Sequence, residues 1–122
     1  MRAFDAAALR AAVAAGEPAF VYFTADWCLT CKLNERRVLA DERVSAALER
    51  AGMARFRADW TRRDASIGRE LARHGRAGVP LYLVYAAGDP DHPQVLPELL
   101  SVERVLEAVA RVSRSDPAHR PG

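Results

Sequence analysis

Two cysteines three positions apart, Cys28 and Cys31, are the residues of this 122-residue chain best suited to chemistry. Two cysteines do not make a disulfide framework, which needs more pairs. A bond between them closes a very short loop and so removes little entropy from the unfolded chain, which favours a functional pair over a structural staple. The spacing suits two-step thiol–disulfide exchange. Cys28 attacks a substrate disulfide, a mixed disulfide forms, and Cys31 attacks Cys28 to release the product. Three other uses compete. A zinc half-site needs two more ligands, yet no further cysteine exists, and His74, His92 and His119 lie far apart without paired spacing. Haem attachment needs a histidine directly after the second cysteine, where Lys32 stands. Two inert core cysteines remain an alternative, because buried cysteine is common.

Exchange chemistry requires a scaffold that presents Cys28 and covers Cys31. The run Phe20-Val-Tyr-Phe-Thr24 is continuous, aromatic and β-branched, and predicts a buried strand. Cys28 then falls where a helical stretch to about Leu39 begins. Unpaired backbone N–H groups and the positive end of the helix dipole there favour thiolate over thiol. Cys31 sits one turn on, on the same face and deeper.

The remaining punctuation is regular. Asp5, Asp41, Asp64 and Ser101 are predicted N-caps, while Gly16, Gly52 and Gly75 are placed as stops. Phe4 and Leu9 are spaced for a hydrophobic staple. Ala54, Phe56, Ala58 and Trp60 alternate with charged residues as a half-covered strand. Gly78-Val79-Pro80 leads into a second apolar strand, Leu81–Tyr85. Pro80 reads either as a strand-opening proline or as a cis residue that brings backbone against the cysteines. A turn over 87–93 and a short strand from Gln94 to Pro97 predict an antiparallel hairpin, before a helix carrying Val102, Val105, Leu106, Val109 and Val112. The order predicts an α/β fold with a mixed sheet of about four strands and helices on both faces. Residues 1–112 form one domain in this reading, and 113–122 a disordered tail.

Composition excludes several classes. A hydrophobic content of 50% excludes disorder, and no apolar run is long enough to span a membrane. The net charge of +2 is too balanced, and the basic residues too scattered, for nucleic-acid binding. Lys32 is the only lysine among 18 basic residues, which reads as GC-rich coding. Residues 6–15 imitate a signal-peptide core, but Asp5 and Arg10 argue for an amphipathic helix, so no export signal is read. The chain is then either cytosolic or a piece of a longer exported protein.

Trp27-Cys28-Leu29-Thr30-Cys31-Lys32, with Gly78-Val79-Pro80 about fifty residues later, resembles the thioredoxin superfamily over residues 4–112. A closer likeness is to the C-terminal thioredoxin-like domains of the transmembrane thiol:disulfide interchange proteins of the DsbD family. It is carried by Tyr22-Phe-Thr-Ala-Asp-Trp-Cys-Leu-Thr-Cys-Lys32, by Glu35, and by Asp59-Trp60-Thr61.

That resemblance implies a thioredoxin-like fold and a protein-disulfide reductase whose redox centre is the Cys28–Cys31 disulfide, with no metal or other cofactor. Cys28 would be the exposed nucleophile and Cys31 the buried resolving thiol. Pro80 would be a cis-proline facing them, and Val79 would offer backbone groups to an extended substrate. Trp27, Asp26 and Lys32 would support the site, and Glu35 would tune the cysteines. The family's second acidic residue, six positions before the first cysteine, is replaced by Tyr22, which leaves such a role to Glu35 or Asp26. The implied partners are the membrane and N-terminal domains of a DsbD-like parent, disulfide isomerases and cytochrome c maturation proteins. The domain would act as a monomer on the periplasmic side of the bacterial inner membrane, with Met1 an added start. A free-standing cytosolic reductase, and a redox-inactive binding module of the same fold, are the alternatives. The intact cysteine pair speaks against the latter. A potential on the reducing side, below about −200 mV, is expected.

Overall fold

The two apolar runs become the central strands of a five-stranded sheet in a computed structural model that describes residues 1–115. The strands are β1 (Arg2–Ala3), β2 (Ala19–Thr24), β3 (Ala54–Asp59), β4 (Leu81–Tyr85) and β5 (Gln94–Val95), in the spatial order β1-β3-β2-β4-β5. β3 runs parallel to both β1 and β2, whereas β2–β4 and β4–β5 are antiparallel. All of β2 and β4 is buried, as continuous apolar runs require when both faces are covered.

Alternation along the strands divides the core in two. Phe20, Tyr22, Tyr82 and Val84 face helices α3 (Glu42–Arg50) and α5 (Val102–Ser115). Val21, Phe23, Phe56, Leu81 and Leu83 face α1 (Ala6–Ala14) and α4 (Ala65–Arg73). Helices therefore lie on both faces, and the fold is thioredoxin-like. The side chains of Asp5, Asp41, Asp64 and Ser101 accept backbone N–H bonds from Ala8, Arg43, Ser66 and Arg104 at 2.8–3.2 Å, satisfying donors a helix start leaves open. Gly16 follows α1 with φ +105°, a conformation few other residues adopt.

Five details differ from the sequence reading. The sheet has five strands, because Arg2 and Ala3 pair with Phe56 and Arg57 on the outer edge of β3. Both β1 residues have exposed side chains, so no apolar pattern marks them. β3 ends at Asp59 rather than Trp60, and β5 at Val95 rather than Pro97, a proline lacking the N–H that a ladder needs. The helical stretch after Cys28 is α2 (Leu29–Asn34) followed by a π-helical turn, Glu35–Leu39. The last helix continues to Ser115, past the tail boundary expected at residue 113; the remainder of that tail, 116–122, lies outside the described residues.

Candidate redox site

β2 ends at Thr24 in the middle of the sheet, and from there the chain passes through Ala25 and Asp26 and turns into α2 with Cys28 as its N-cap. Cys28 is joined to Cys31 by a disulfide, with Cα atoms 5.2 Å apart, within the usual range. The Cys31 backbone N–H points at Cys28 Sγ, 3.2 Å away, so the cap bond that an aspartate or serine would make is made by sulfur. Cys31 is wholly covered, and Cys28 is itself only 8% exposed. The order of accessibility matches the sequence reading; the extent of exposure does not, because Ala25 and Val79 close over the pair. The Val79–Pro80 peptide is cis, and Val79 packs on Ala25, Cys28 and Cys31. The structure thus brings the two distant segments together.

Carboxylates surround the far side of α2. The Thr24 hydroxyl donates to Glu35 Oε2 at 2.5 Å. Lys32 Nζ lies 3.5 Å from both Glu35 Oε1 and Asp26 Oδ1, an ion-pair chain at the surface. Such partly exposed pairs orient side chains more than they stabilise the fold. Tyr22 is buried against the α3/α5 core. Burial pushes its phenol up, with a smaller push from Glu35, while Arg57 and Lys32 pull it down. Its neighbour across the sheet, Tyr82, is pushed up to about 12, chiefly by burial. A buried phenol therefore stands at the position where the sequence resemblance implied a second acid.

The loop after β3 holds the other flank. Thr61 takes its place through Asp59, whose Oδ1 accepts from both the Thr61 hydroxyl and N–H. Those bonds, the hydroxyl's first, hold the Asp59 carboxyl below the usual range. Thr61 Oγ1 then accepts the Asp26 N–H at 2.9 Å, and the Thr61 carbonyl accepts Trp27 Nε1–H at 3.1 Å. The Trp27 ring, 49% exposed, is set 6.1 Å from that of Trp60, centroid to centroid. The Arg63 guanidinium lies 4.7 Å from the Trp27 centroid and 5.0 Å from that of Trp60.

Of the residues expected at the site, Val79 packs on the cysteine cluster and opens the cis bond to Pro80, Asp26 and Trp27 directly precede Cys28 in the chain, and Lys32 links Asp26 to Glu35. Sequence reasoning missed Thr24, Thr61, Arg63 and Asn34. Thr24 and Thr61 stood in recognised motifs without an assigned part, and the other two carried no signal. Asn34 is fully buried: Nδ2–H donates to the Tyr82 hydroxyl and the Glu98 carbonyl, and Oδ1 accepts the Leu100 N–H. It ties the end of α2 to the segment after β5. Among the described residues no group of three or more His, Cys, Asp or Glu side chains is arranged to hold a metal, and no helix is long and apolar enough to cross a membrane.

Comparison with known proteins adds context to this geometry. A thioredoxin-like family model matches residues 1–87. Thiol:disulfide interchange protein DsbD 1 of Pseudomonas aeruginosa is 39% identical over 82 residues, 67% of this chain and 14% of that protein. Protein DsbD of Ralstonia nicotianae is 40% identical over 80 residues, 66% of this chain and 13% of that one. The chain therefore spans about one seventh of the length of these curated relatives. The oxidised C-terminal domain of DsbD from Neisseria meningitidis superposes with a TM-score of 0.70 at 24% identity, covering 91% of this chain and 98% of that one.

Proposed function

The chain belongs to the thioredoxin-like family, and from that premise we propose that it is a thiol–disulfide oxidoreductase working in the reducing direction, as an electron-relay domain of a larger membrane protein. The single observation that carries this reading is the Cys28–Cys31 disulfide at the head of α2, with the less covered sulfur capping the helix.

In the reduced state, Cys28 as thiolate attacks one sulfur of a target disulfide. A Cys28–target S–S bond forms, and the target's other sulfur leaves as a thiolate and takes a proton. Cys31 then gives up its proton to a base, a part we assign to Glu35, four residues on in the chain and held in place by Thr24 and Lys32. Attack of Cys31 on Cys28 Sγ closes the internal disulfide and expels the second target thiolate. Two electrons pass to the target, and the chain is left oxidised. Cys31 and Cys28 are the catalytic residues; Val79 and Pro80 shape the surface on which an extended target segment would lie. Trp27, Asp26, Lys32 and Glu35 support them.

Identity to DsbD proteins over a small fraction of their length supports a parent with further domains. The proposed partners are that parent's membrane domain as electron donor and its N-terminal domain as acceptor, on the periplasmic side of the inner membrane. The domain acts as a monomer. Insulin reduction tests the activity: turbidity from precipitating insulin chains is expected with the wild type, and none with Cys28→Ser. Equilibration with glutathione tests the direction. A potential below about −200 mV supports a reductase, and one near −120 mV, the range of the strong oxidants, overturns it.

A further inference from the structure

The Arg63 guanidinium is a cation held over the ring of Trp27, the residue directly before Cys28. Arg63 is the one non-glycine residue with positive φ, +52°, among the described residues, a conformation that glycine or asparagine adopts more readily. Its guanidinium lies over two indole rings, those of Trp27 and Trp60. Stacking leaves the edge of the guanidinium plane, with its N–H donors, open to a bidentate acceptor. No carboxylate among the described residues ion-pairs with Arg63 or with neighbouring Arg62.

The charges around Cys28 are unevenly shared. Lys32 is divided between Asp26 and Glu35, so that side carries one negative charge in excess. On the Trp27 side Asp59 is paired with Arg57 at 3.6 Å, and Arg63 has no ion-pair partner among the described residues. Trp27 directly precedes Cys28 and is half exposed, which offers its ring and the cation over it to a polypeptide docking at Cys28.

We propose that Arg63 is a specificity-determining residue that favours acidic disulfide substrates, by taking a substrate carboxylate close to the attacked sulfur. The proposal rests on the thiol-exchange reading above and adds the chemistry of the partner. The bonds made and broken are those already given; the carboxylate is bound, not transformed. Trp27, Thr61 and Trp60 are positioning residues for the cation.

The test mixes reduced protein at low ionic strength with three small disulfides: anionic oxidised glutathione, neutral hydroxyethyl disulfide and cationic cystamine. Each rate is divided by that of the same disulfide with dithiothreitol. The wild type is expected to prefer glutathione disulfide over cystamine. In Arg63→Gln that preference should fall about fivefold, the effect of one unit charge a few ångströms away in water. Arg63→Lys should keep most of it, and about 0.5 M salt should erase it in the wild type. Equal preference in wild type and Arg63→Gln, or a wild-type preference indifferent to salt, overturns the proposal. A fall in Arg63→Lys as deep as in Arg63→Gln also overturns it. Wild-type protein that fails to reduce even the neutral disulfide has a separate signature and overturns the exchange reading itself.

Discussion

Thr24 and Glu35 meet where the end of β2 passes beneath α2: the hydroxyl of the wholly buried threonine donates to Glu35 Oε2 at 2.5 Å. Glu35 lies one turn beyond Cys31 and shares its face of the helical stretch. Its carboxylate is thereby anchored on the inner side, while Lys32 holds the other oxygen from the surface. An anchored negative charge on the helical turn after Cys31 disfavours a thiolate by like-charge repulsion. Glu35→Gln keeps the hydrogen-bonding shape and removes the charge. Reduced Cys28 in that variant should be alkylated by uncharged iodoacetamide about twofold to tenfold faster near neutral pH, with the rate profile displaced to lower pH. An unchanged profile would make Glu35 a structural helix residue and nothing more.

Asn34 offers a stability test away from the sulfurs. Its side chain satisfies the Tyr82 hydroxyl and the Leu100 N–H in buried bonds and the Glu98 carbonyl in a partly buried one. Asn34→Ala leaves several of these groups without partners and opens a small void. Urea unfolding should show a loss of about 2–4 kcal/mol. A loss below about 0.5 kcal/mol, the range of ordinary surface changes, would mean the clamp contributes nothing net.

Acid stability follows from the aspartates at helix starts and in the Thr61 loop. Hydrogen bonds from the Arg43 guanidinium, the Thr61 hydroxyl and the Ser66 hydroxyl hold Asp41, Asp59 and Asp64 below their ordinary value of 3.8. A folded-state value below the unfolded one contributes stability that is present above 3.8 and is lost as pH falls through the lower folded values. The urea midpoint should therefore be flat between about pH 5 and 9 and drop below about pH 4. Asp64→Asn retains a capping oxygen but cannot titrate, so its acid drop should be shallower than the wild type's. Identical curves for the two would show that Asp64 takes no part. These groups are exposed, so added salt should compress the difference.

How much of this was legible depended on whether a residue's part was local. Asp5, Asp41, Asp64 and Ser101 cap because a short polar side chain precedes an apolar period, and both features are adjacent in sequence. Phe20–Thr24 and Leu81–Tyr85 betray themselves as buried strands by apolar content alone. β1 had no such signature: Arg2 and Ala3 form a strand only because the edge of β3, more than fifty residues away, offers them partners. Asn34 reads as an ordinary polar helix residue, yet it is buried because Tyr82 and residues 98–100 converge on it. Arg63 was one arginine among many, and only the fold sets it between Trp27 and Trp60. The cysteine chemistry was readable because both sulfurs lie within one turn; the groups that tune it arrive from three separate strands and loops.

The unequal cover of the two sulfurs leads to a test of the exchange mechanism in cells. Cys28 retains a small accessible surface, whereas Cys31 has none, so a partner disulfide meets Cys28 first. Exchange requires a thiolate to approach a disulfide sulfur directly, and a covered sulfur cannot serve. Cys31→Ser removes the group that resolves the mixed disulfide and should accumulate covalent complexes through Cys28. Cys28→Ser removes the entry point and should accumulate almost none. Non-reducing gels followed by mass spectrometry of the trapped bands measure both the ratio and the partners. Equal trapping by the two variants would overturn the assignment of Cys28 as nucleophile. For the relay role, the bands from cell envelopes should contain an N-terminal or membrane domain of a DsbD-like parent. If only cytosolic proteins are captured, the nucleophile assignment survives and the periplasmic relay does not.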